Sequence, residues 1–204
     1  MAQITNGIRS VLSHPLVYSV LQSIMGAHKG RQKMVDNYIK PFPDMKVLDV
    51  GCGPADILGY LPNVDYYGFD VSERYIESAE SKFLNEGRFF CKIFDDSDLA
   101  VIPKVDVVLA IGLLHHLEDE EAADLITLAF SVLKPGGRLL TIDPCLTPSQ
   151  NPIARILINN DRGQNVRNEM GYAKLVSEKF DSCSTDVVHQ RWIPYTNCFM
   201  TCTK

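Results

Sequence analysis

The sequence predicts an α/β fold built on a doubly wound, mostly parallel sheet. Between residues 44 and 143, short apolar runs rich in β-branched residues alternate with segments of helical periodicity. The first run, residues 46–50, ends at a glycine turn, and most later runs end at or just before a polar residue. Strands that are buried on both faces and joined by helices have this pattern. Right-handed parallel crossovers are the simplest way to connect them.

The predicted elements follow one another in a regular order. Strands are expected at 46–50, 64–70, 89–94, 105–111 and 138–142, with β-like segments at 185–189 and 198–203. Helices are expected within 1–40, at 57–61, 72–87, 118–133 and 172–180, with a loop and helix over 147–161. Residues 134–137 are expected to turn the chain into the fifth strand.

Composition limits the classes of function. The chain has 204 residues, of which 46% are hydrophobic and 22% charged, and these values suit one globular domain with a sizeable core. Its formal net charge of -5 provides no basic field for a phosphate backbone. Nucleic acid is therefore not favoured as a partner, and a small molecule is expected instead. A monomer and a homodimer both remain open.

The N-terminus and the cysteines bear on compartment and metal content. No basic stretch followed by an apolar run begins the chain, and no apolar stretch approaches the ~20 residues that span a bilayer, so a cytoplasmic protein is expected. The cysteines form no C-x-x-C pair and have no histidine at zinc-ligand spacing, so no bound metal is expected. Most of them are expected to be reduced core thiols: Cys52, Cys91, Cys145, Cys183, Cys198 and Cys202.

The glycine turn after the first strand is the strongest local signal. Gly51 and Gly53 lack a Cβ, so the backbone can bend sharply there and lie close to a ligand. A second apolar run ends about 20 residues later on Asp70, where an open α/β sheet places a carboxylate against ribose hydroxyls. A nicotinamide oxidoreductase is the weaker alternative, because its G-x-G-x-x-G turn requires glycine where this chain has Asp56.

The turn instead has the form D-x-G-x-G-x-A, made by Asp49, Gly51, Gly53 and Ala55. With this motif the sequence resembles the class I S-adenosylmethionine-dependent methyltransferases. The resemblance covers about half the chain, from 46 to 143, in the family's order and spacing. It also rests on residues 68–72, 94–97, 105–117 and 133–139. No N-P-P-Y-type tetrapeptide follows the fourth strand, so a base-flipping nucleic-acid amino-methylase is not expected.

This resemblance implies the overall architecture. The sheet is expected to be Rossmann-like and seven-stranded, with the order 3-2-1-4-5-7-6 and an antiparallel last strand. The implied organisation is a single domain over 1–204, made of an N-terminal helical lid (1–40), a cofactor-binding core (44–143), an inserted substrate-side segment (144–182) and a closing hairpin (183–204). An apolar stripe at three- and four-residue steps suits the lid: Val11, Leu12, Leu16, Val17, Val20, Leu21 and Ile24.

The resemblance also implies S-adenosylmethionine as the cofactor and S-adenosylhomocysteine as its product. Asp70 is expected to bind the ribose, Asp95 the adenine amino group, and Arg31 the carboxylate of the methionine moiety. An acid in a strand-end turn and a solvated surface arginine are the alternatives for Asp95 and Arg31. The expected cofactor-binding residues are Arg31, Asp49, Gly51, Cys52, Gly53, Asp70, Val71, Asp95, Asp96 and Ile111.

The acceptor is expected beyond the carboxyl ends of the strands. His115 and His116 are candidate catalytic bases because an imidazole titrates near neutral pH, and Asp143 is a candidate for orienting the acceptor. The alternative is that the histidines only pack around the pocket. Candidate substrate-binding residues are Tyr18, Arg162, Arg167 and Tyr172. The arginines favour an acceptor with a carboxylate or phosphate, and a solvated surface segment is the alternative.

The resemblance implies an enzyme that methylates a small molecule, with an oxygen acceptor first and a nitrogen acceptor second. Methyl transfer from a sulfonium has a neutral thioether as leaving group, so alignment and exclusion of water supply much of the rate. A strong catalytic signature is therefore not required. A non-catalytic protein that keeps the cofactor fold as an interaction module is the alternative from another class.

Overall fold

The structure, a computed structural model, describes residues 27–161, 163–190 and 194–204. The expectations at Tyr18 and Arg162, and most of the predicted lid, lie outside these residues. Within them, strands form one seven-stranded sheet in the order β3-β2-β1-β4-β5-β7-β6. The strands are β1 (Met45–Val50), β2 (Val64–Asp70), β3 (Gly87–Cys91), β4 (Val105–Ile111), β5 (Leu133–Pro144), β6 (Ser182–Gln190) and β7 (Tyr195–Thr203).

Both features of the predicted sheet are confirmed. β1 to β5 pair in parallel, and β7 runs antiparallel to both β5 and β6. In the described part of the chain, the α-helices are α1 (Ala27–Met34), α2 (Glu73–Phe83), α3 (Asp119–Val132), α4 (Pro152–Asn159) and α5 (Glu169–Val176). Shorter helical turns are the π-helix Val35–Ile39 and the 3-10 helices Leu58–Tyr60, Asp96–Ala100 and Leu114–His116.

The sheet separates two apolar cores, as a doubly wound fold requires. Successive side chains of a strand point to opposite faces, and β1 shows this directly. Val47 packs in the core that contains α1 and α2, whereas Leu48 packs in the core that contains α3 and α5. Both side chains are completely buried.

Several strand bounds differ from the sequence prediction, among them the end of β3 and the start of β5. β3 ends at Cys91 rather than at residue 94. Phe94 is buried against Phe69 without belonging to the strand, so its apolar side chain extended the predicted strand too far. β5 begins at Leu133, which pairs with Val105 before an irregular register. The predicted turn at 134–137 is therefore part of β5, and the positive φ of Gly136, +75°, lies within it.

Several helices also differ in extent, and α2 ends at Phe83 rather than near residue 87. The helix predicted after the glycine turn is only the 3-10 turn Leu58–Tyr60. α5 begins at Glu169, ahead of the predicted residue 172, because the Asn168 side chain accepts a hydrogen bond from the Gly171 amide at 2.8 Å. Such an N-cap satisfies a backbone donor at the helix start. Among the described residues, no helix has the length and apolarity that a membrane crossing requires.

Four of the six cysteines are free, in line with the expectation for most of them, and the other two are bonded to each other. Cys183 on β6 and Cys202 on β7 face each other across the antiparallel ladder, with their Cα atoms 4.1 Å apart, and form a disulfide. Cys52, Cys145 and Cys198 are free and buried, whereas Cys91 is free and exposed. Strand register brings the bonded pair together, and no local sequence spacing signals it.

Candidate cofactor and acceptor site

The candidate site lies at the edge of the sheet where the parallel strands end. β1, β2 and β4 end there at Val50, Asp70 and Ile111, and β5 carries Asp143 to the same edge. Open α/β sheets bind ligands at this edge. A surface groove of about 700 Å³ opens at the opposite edge, by the amino ends of β1 to β3, and no expected site residue lines it.

Gly51 and Gly53 shape the turn that follows β1. Their φ angles are +73° and +55°, a region that glycine adopts without a Cβ clash. The amides of Gly51 and Cys52 both donate to the Phe69 carbonyl, at 2.8 and 3.0 Å, and hold the turn against β2. Among the residues that the structure describes, none has an atom within 4 Å of a Cβ built on Gly53. The turn therefore offers open space next to its backbone.

The Asp70 carboxylate braces this turn from the end of β2. One oxygen accepts from the Gly53 amide at 2.9 Å, and the other accepts from the Ser72 amide at 2.8 Å. A carboxylate oxygen has more than one acceptor position. Asp70 can therefore hold the turn and also accept from ribose hydroxyls, and this second role remains a prediction.

Asp49 lies beneath the turn and is only 2% exposed. Its Oδ2 accepts from the Tyr66 hydroxyl at 2.6 Å, whereas no described residue donates to Oδ1. Burial raises the pKa of Asp49 to about 7, with a contribution from the charge of Asp70 and against the effect of the Tyr66 hydrogen bond. A buried acceptor without a donor is costly. Binding of the cofactor by Asp49 remains a prediction.

Cys52, Val71 and Ile111 complete the part of the expected cofactor wall near β1, β2 and β4. Cys52 is buried, and burial raises the pKa of its thiol, so that the thiol is neutral. Val71 follows β2 and is 51% exposed, while Ile111 ends β4 and is half-buried. These side chains supply apolar surface beside the acids, as an adenosyl group requires.

Asp95 caps the 3-10 helix Asp96–Ala100. Its carboxylate accepts from the Ser97 amide at 2.9 Å and from the Ser97 hydroxyl at 2.5 Å, and its own amide donates to Asp98 at 3.1 Å. The hydrogen bonds from Ser97 lower the pKa of Asp95. Asp96 is exposed beside it. The structure shows the turn-forming role of Asp95, and contact of either acid with adenine remains a prediction.

Arg31 has a partner within the chain. Its guanidinium donates to Asp56, just after the glycine turn, at 2.9 Å, and Lys82 donates to the other Asp56 oxygen at 2.6 Å. The ion pair fastens α1 beside the cofactor turn. It places Arg31 near the end of the site where the methionine moiety is expected, and binding of its carboxylate remains a prediction.

His115 lies between two carboxylates on the acceptor side. Its Nδ1 is 2.8 Å from Asp143 Oδ1, and its Nε2 is 3.3 Å from Asp161 Oδ1. Burial lowers the pKa of His115, but the hydrogen bonds with Asp143 and Asp161 outweigh this effect and raise it to about 9. His115 is therefore an imidazolium at neutral pH. To act as a base it must first give up this proton.

His116 stacks beside His115 and is more exposed. The two ring centroids are 4.1 Å apart, with the ring planes tilted by 38°. The backbone of the loop is held as well, since the His115 amide donates to Asp143 at 3.1 Å. The structure thus brings the three expected catalytic residues together at the ends of β4 and β5, and their catalytic roles remain predictions.

Sequence reasoning missed three residues of this cluster. The Tyr195 hydroxyl donates to Asp161 Oδ2 at 2.6 Å, and the Gly163 amide donates to Asp161 Oδ1 at 3.1 Å. Gly163 lies so close to His115 that an added Cβ would be 2.0 Å from the ring. The three missed residues, Asp161, Gly163 and Tyr195, are distant from β4 in sequence. The only sequence signal for their role at the site is the acid and the glycine in the polar stretch after α4.

Arg167 and Tyr172 fasten the inserted segment to the core. The Arg167 guanidinium donates to the carbonyls of Leu114 and Leu117, each at 2.9 Å, and to Asp119 at 2.6 Å. Tyr172 is buried, and its hydroxyl donates to the Pro144 carbonyl at 2.8 Å. Both side chains therefore have partners within the protein, and acceptor binding by either remains a prediction.

Replacing Arg167 with methionine is expected to lower the free energy of unfolding by about 2 kcal/mol or more, because two buried carbonyls lose their charged donor. Arg155→Met is the matched control: Arg155 is exposed and donates to one carbonyl, that of Thr147. We expect it to change stability by less than about 0.5 kcal/mol. Urea denaturation measures both. Equal stabilities, with a loss of acceptor affinity confined to Arg167→Met, would favour acceptor binding instead.

The fold and the glycine turn define a nucleotide-binding α/β domain of the methyltransferase type. A solved structure of an S-adenosylmethionine-dependent methyltransferase from Archaeoglobus fulgidus superposes with a TM-score of 0.71. The match covers 92% of this chain and 99% of that one at 16% sequence identity. At this identity the likeness shows the fold alone.

The sequence comparison matches a methyltransferase domain and several methyltransferases. Residues 47–137 match the methyltransferase domain family. A 27-O-demethylrifamycin SV methyltransferase from Amycolatopsis mediterranei is 33% identical over 111 residues, covering 51% of this chain and 40% of that protein. A tRNA N(3)-methylcytidine methyltransferase from Schizosaccharomyces pombe is also 33% identical over 111 residues, covering 50% of this chain and 45% of that protein. The chain thus spans less than half the length of either relative. Residues 47–137 thus match a methyltransferase domain, and the chain is similar to the class I S-adenosylmethionine-dependent methyltransferases.

Proposed function

We propose that this protein transfers a methyl group from S-adenosylmethionine to a small-molecule acceptor, with an oxygen acceptor first and a nitrogen acceptor second. The observation that carries this proposal is the buried Asp49 oxygen without a donor, beneath a glycine turn that leaves open space at Gly53. The net charge of -5 supports a small acceptor over RNA. A single domain with the segments expected from the sequence, and a cytoplasmic location, belong to the same proposal.

The chain's own residues divide the work between two sides of the site. When bound, S-adenosylmethionine supplies a methyl group whose bond to sulfur breaks as its bond to the acceptor forms. Asp49 and Asp70 hold the ammonium and the ribose, and the glycine turn lets the backbone approach. At the ends of β4 and β5, His115, His116 and Asp143 orient the acceptor. Its proton passes to His116, or to His115 once His115 has released its own proton. Alignment of this kind supplies much of the rate.

Binding experiments separate this proposal from the nicotinamide alternative. Calorimetry is expected to show binding of S-adenosylhomocysteine and none of NAD(H). Asp70→Ala is expected to weaken S-adenosylhomocysteine binding by roughly 10- to 100-fold, the value of a charged hydrogen bond. Asp124→Ala, at an exposed position on α3, is the control that should leave the affinity unchanged. Binding of NAD(H) alone would overturn the proposal.

Turnover then tests the acceptor class. Release of S-adenosylhomocysteine is measured with panels of small hydroxyl compounds, small amines and tRNA. Turnover with a hydroxyl compound supports O-methylation, and turnover confined to amines replaces it with N-methylation. Turnover with tRNA alone would refute a small-molecule acceptor. Binding without turnover across all panels would refute an enzyme and favour an interaction module.

A further inference from the structure

Three potential metal ligands converge at the carboxyl end of β4. His115, His116 and Asp161 each offer one ligand atom, and these atoms all lie within 4.8 Å of one another. His115 is buried, while His116 and Asp161 are half-buried. The cluster thus combines two imidazoles and one carboxylate in a site that is largely, but not wholly, closed to solvent.

The distance between two of these ligand atoms already suits a metal ion. Two atoms that each lie ~2.1 Å from a tetrahedral ion are roughly 3.4 Å apart. His115 Nε2 and Asp161 Oδ1 are 3.3 Å apart. The third ligand atom, on the half-buried His116, lies within 4.8 Å of the other two, so its ring would turn toward them on ligation.

The groups behind the ligands provide a stronger argument. A histidine that binds a metal usually donates its other ring nitrogen to a carboxylate, and a ligating carboxylate is itself held by hydrogen bonds. Asp143 lies 2.8 Å from His115 Nδ1. Tyr195 donates to the second oxygen of Asp161 at 2.6 Å. Two of the three ligands are therefore oriented before any ion binds.

We propose that His115, His116 and Asp161 bind a divalent transition-metal ion of the zinc type. Two imidazole nitrogens and one carboxylate oxygen suit such an ion, and three protein ligands leave a coordination position for water or a substrate oxygen. The ion displaces the proton between His115 Nε2 and Asp161, which is released to solvent. Local motif spacing predicts no metal, because Asp161 reaches His115 only through the fold. The site goes beyond the proposed methyl transfer and does not depend on it.

Titration of the metal-stripped full-length protein with Zn²⁺ and Co²⁺ tests this site. Calorimetry is expected to show one ion per chain, and Co²⁺ is expected to give d–d absorption without a thiolate charge-transfer band. His116→Gln and Asp161→Asn are each expected to weaken binding by at least about 100-fold, since they remove a ligand. His189→Gln is the matched control, because His189 lies on β6 and its Nδ1 is 3.0 Å from the Thr196 hydroxyl. It should bind the ion as the wild type does.

The Tyr195→Phe variant tests the groups behind the ligands and is expected to weaken ion binding by roughly 10- to 100-fold. Circular dichroism and S-adenosylhomocysteine affinity, measured on the same samples, report whether each variant is folded. Absence of stoichiometric binding in the wild type would overturn the proposal. Equal affinity in wild type, His116→Gln and Asp161→Asn, or a thiolate band with Co²⁺, would also overturn it. Failure of the methyl-transfer proposal is a separate result, because it would appear as absence of S-adenosylhomocysteine release in the turnover panels.

Discussion

Gly53→Ala is expected to weaken S-adenosylhomocysteine binding by at least about tenfold, equivalent to ~1.4 kcal/mol. The added Cβ meets no atom of the described residues within 4 Å, so it occupies the space next to the turn that these residues leave open. A ligand that lies against this backbone must move away from it. The φ of +55° adds a cost to the folded state of roughly 1–2 kcal/mol for any residue with a Cβ. Calorimetry measures the affinity, and urea denaturation measures the stability.

Gly136→Ala is the matched control for this variant. Gly136 also has a positive φ, +75°, and its added Cβ also lies more than 4 Å from the atoms of the described part of the chain. It lies near the amino end of β5, away from the site. Both variants should therefore lose similar stability, and only Gly53→Ala should lose affinity. Unchanged affinity in Gly53→Ala would remove the turn from the cofactor site.

Asp49→Asn is expected to stabilise the ligand-free protein at pH 8 and to leave its stability nearly unchanged at pH 4. The folded pKa of Asp49, about 7, lies above its ordinary value of 3.8. For a group with a raised pKa, the favourable contribution is complete below the unfolded pKa and is lost as the pH rises through the folded pKa. At ~1.4 kcal/mol per pH unit, ionisation of Asp49 withdraws about 4 kcal/mol between pH 4 and pH 8. Denaturation of both proteins across this range measures the difference.

Cofactor binding should reverse this sign. An ammonium group placed on the Asp49 oxygen stabilises the ionised carboxylate, so stabilisation by S-adenosylhomocysteine should grow between pH 5 and pH 8 in the wild type. In Asp49→Asn it should change much less. Asp124→Asn, at an exposed position on α3, serves as the control and should follow the wild type. If the wild type and Asp49→Asn have parallel pH profiles, Asp49 does not carry the ionisation assigned to it.

Most of the sheet could be predicted from the sequence because strands buried on both faces are continuously apolar, and β1, β2 and β4 have this character. The errors arise at residues whose burial does not reflect regular pairing in the sheet. Phe94 is buried without belonging to β3, and an irregular register extends β5 back to Leu133. Order 3-2-1-4-5-7-6 came from the family resemblance, since strand patterns do not specify neighbours.

The two sides of the site differ in how far sequence could predict them. The candidate cofactor side consists of one turn and the acid that ends the next strand, so the motif around Gly51 and Gly53 is enough to predict its place. The acceptor side depends on contacts between distant segments. Asp161 reaches His115 only after the inserted segment folds back across β4, and the partners of Arg167 are backbone carbonyls, which no sequence motif records.

The contacts of Arg167 determine which segments must be exchanged together in a chimaera of two related enzymes. One guanidinium from the inserted segment holds two carbonyls of the loop after β4 and the first residue of α3. A chimaera that exchanges the insertion alone leaves those carbonyls without their donor, whereas one that exchanges the insertion together with residues 112–119 keeps the contact. To transfer acceptor preference between such enzymes, the two segments should therefore be exchanged together.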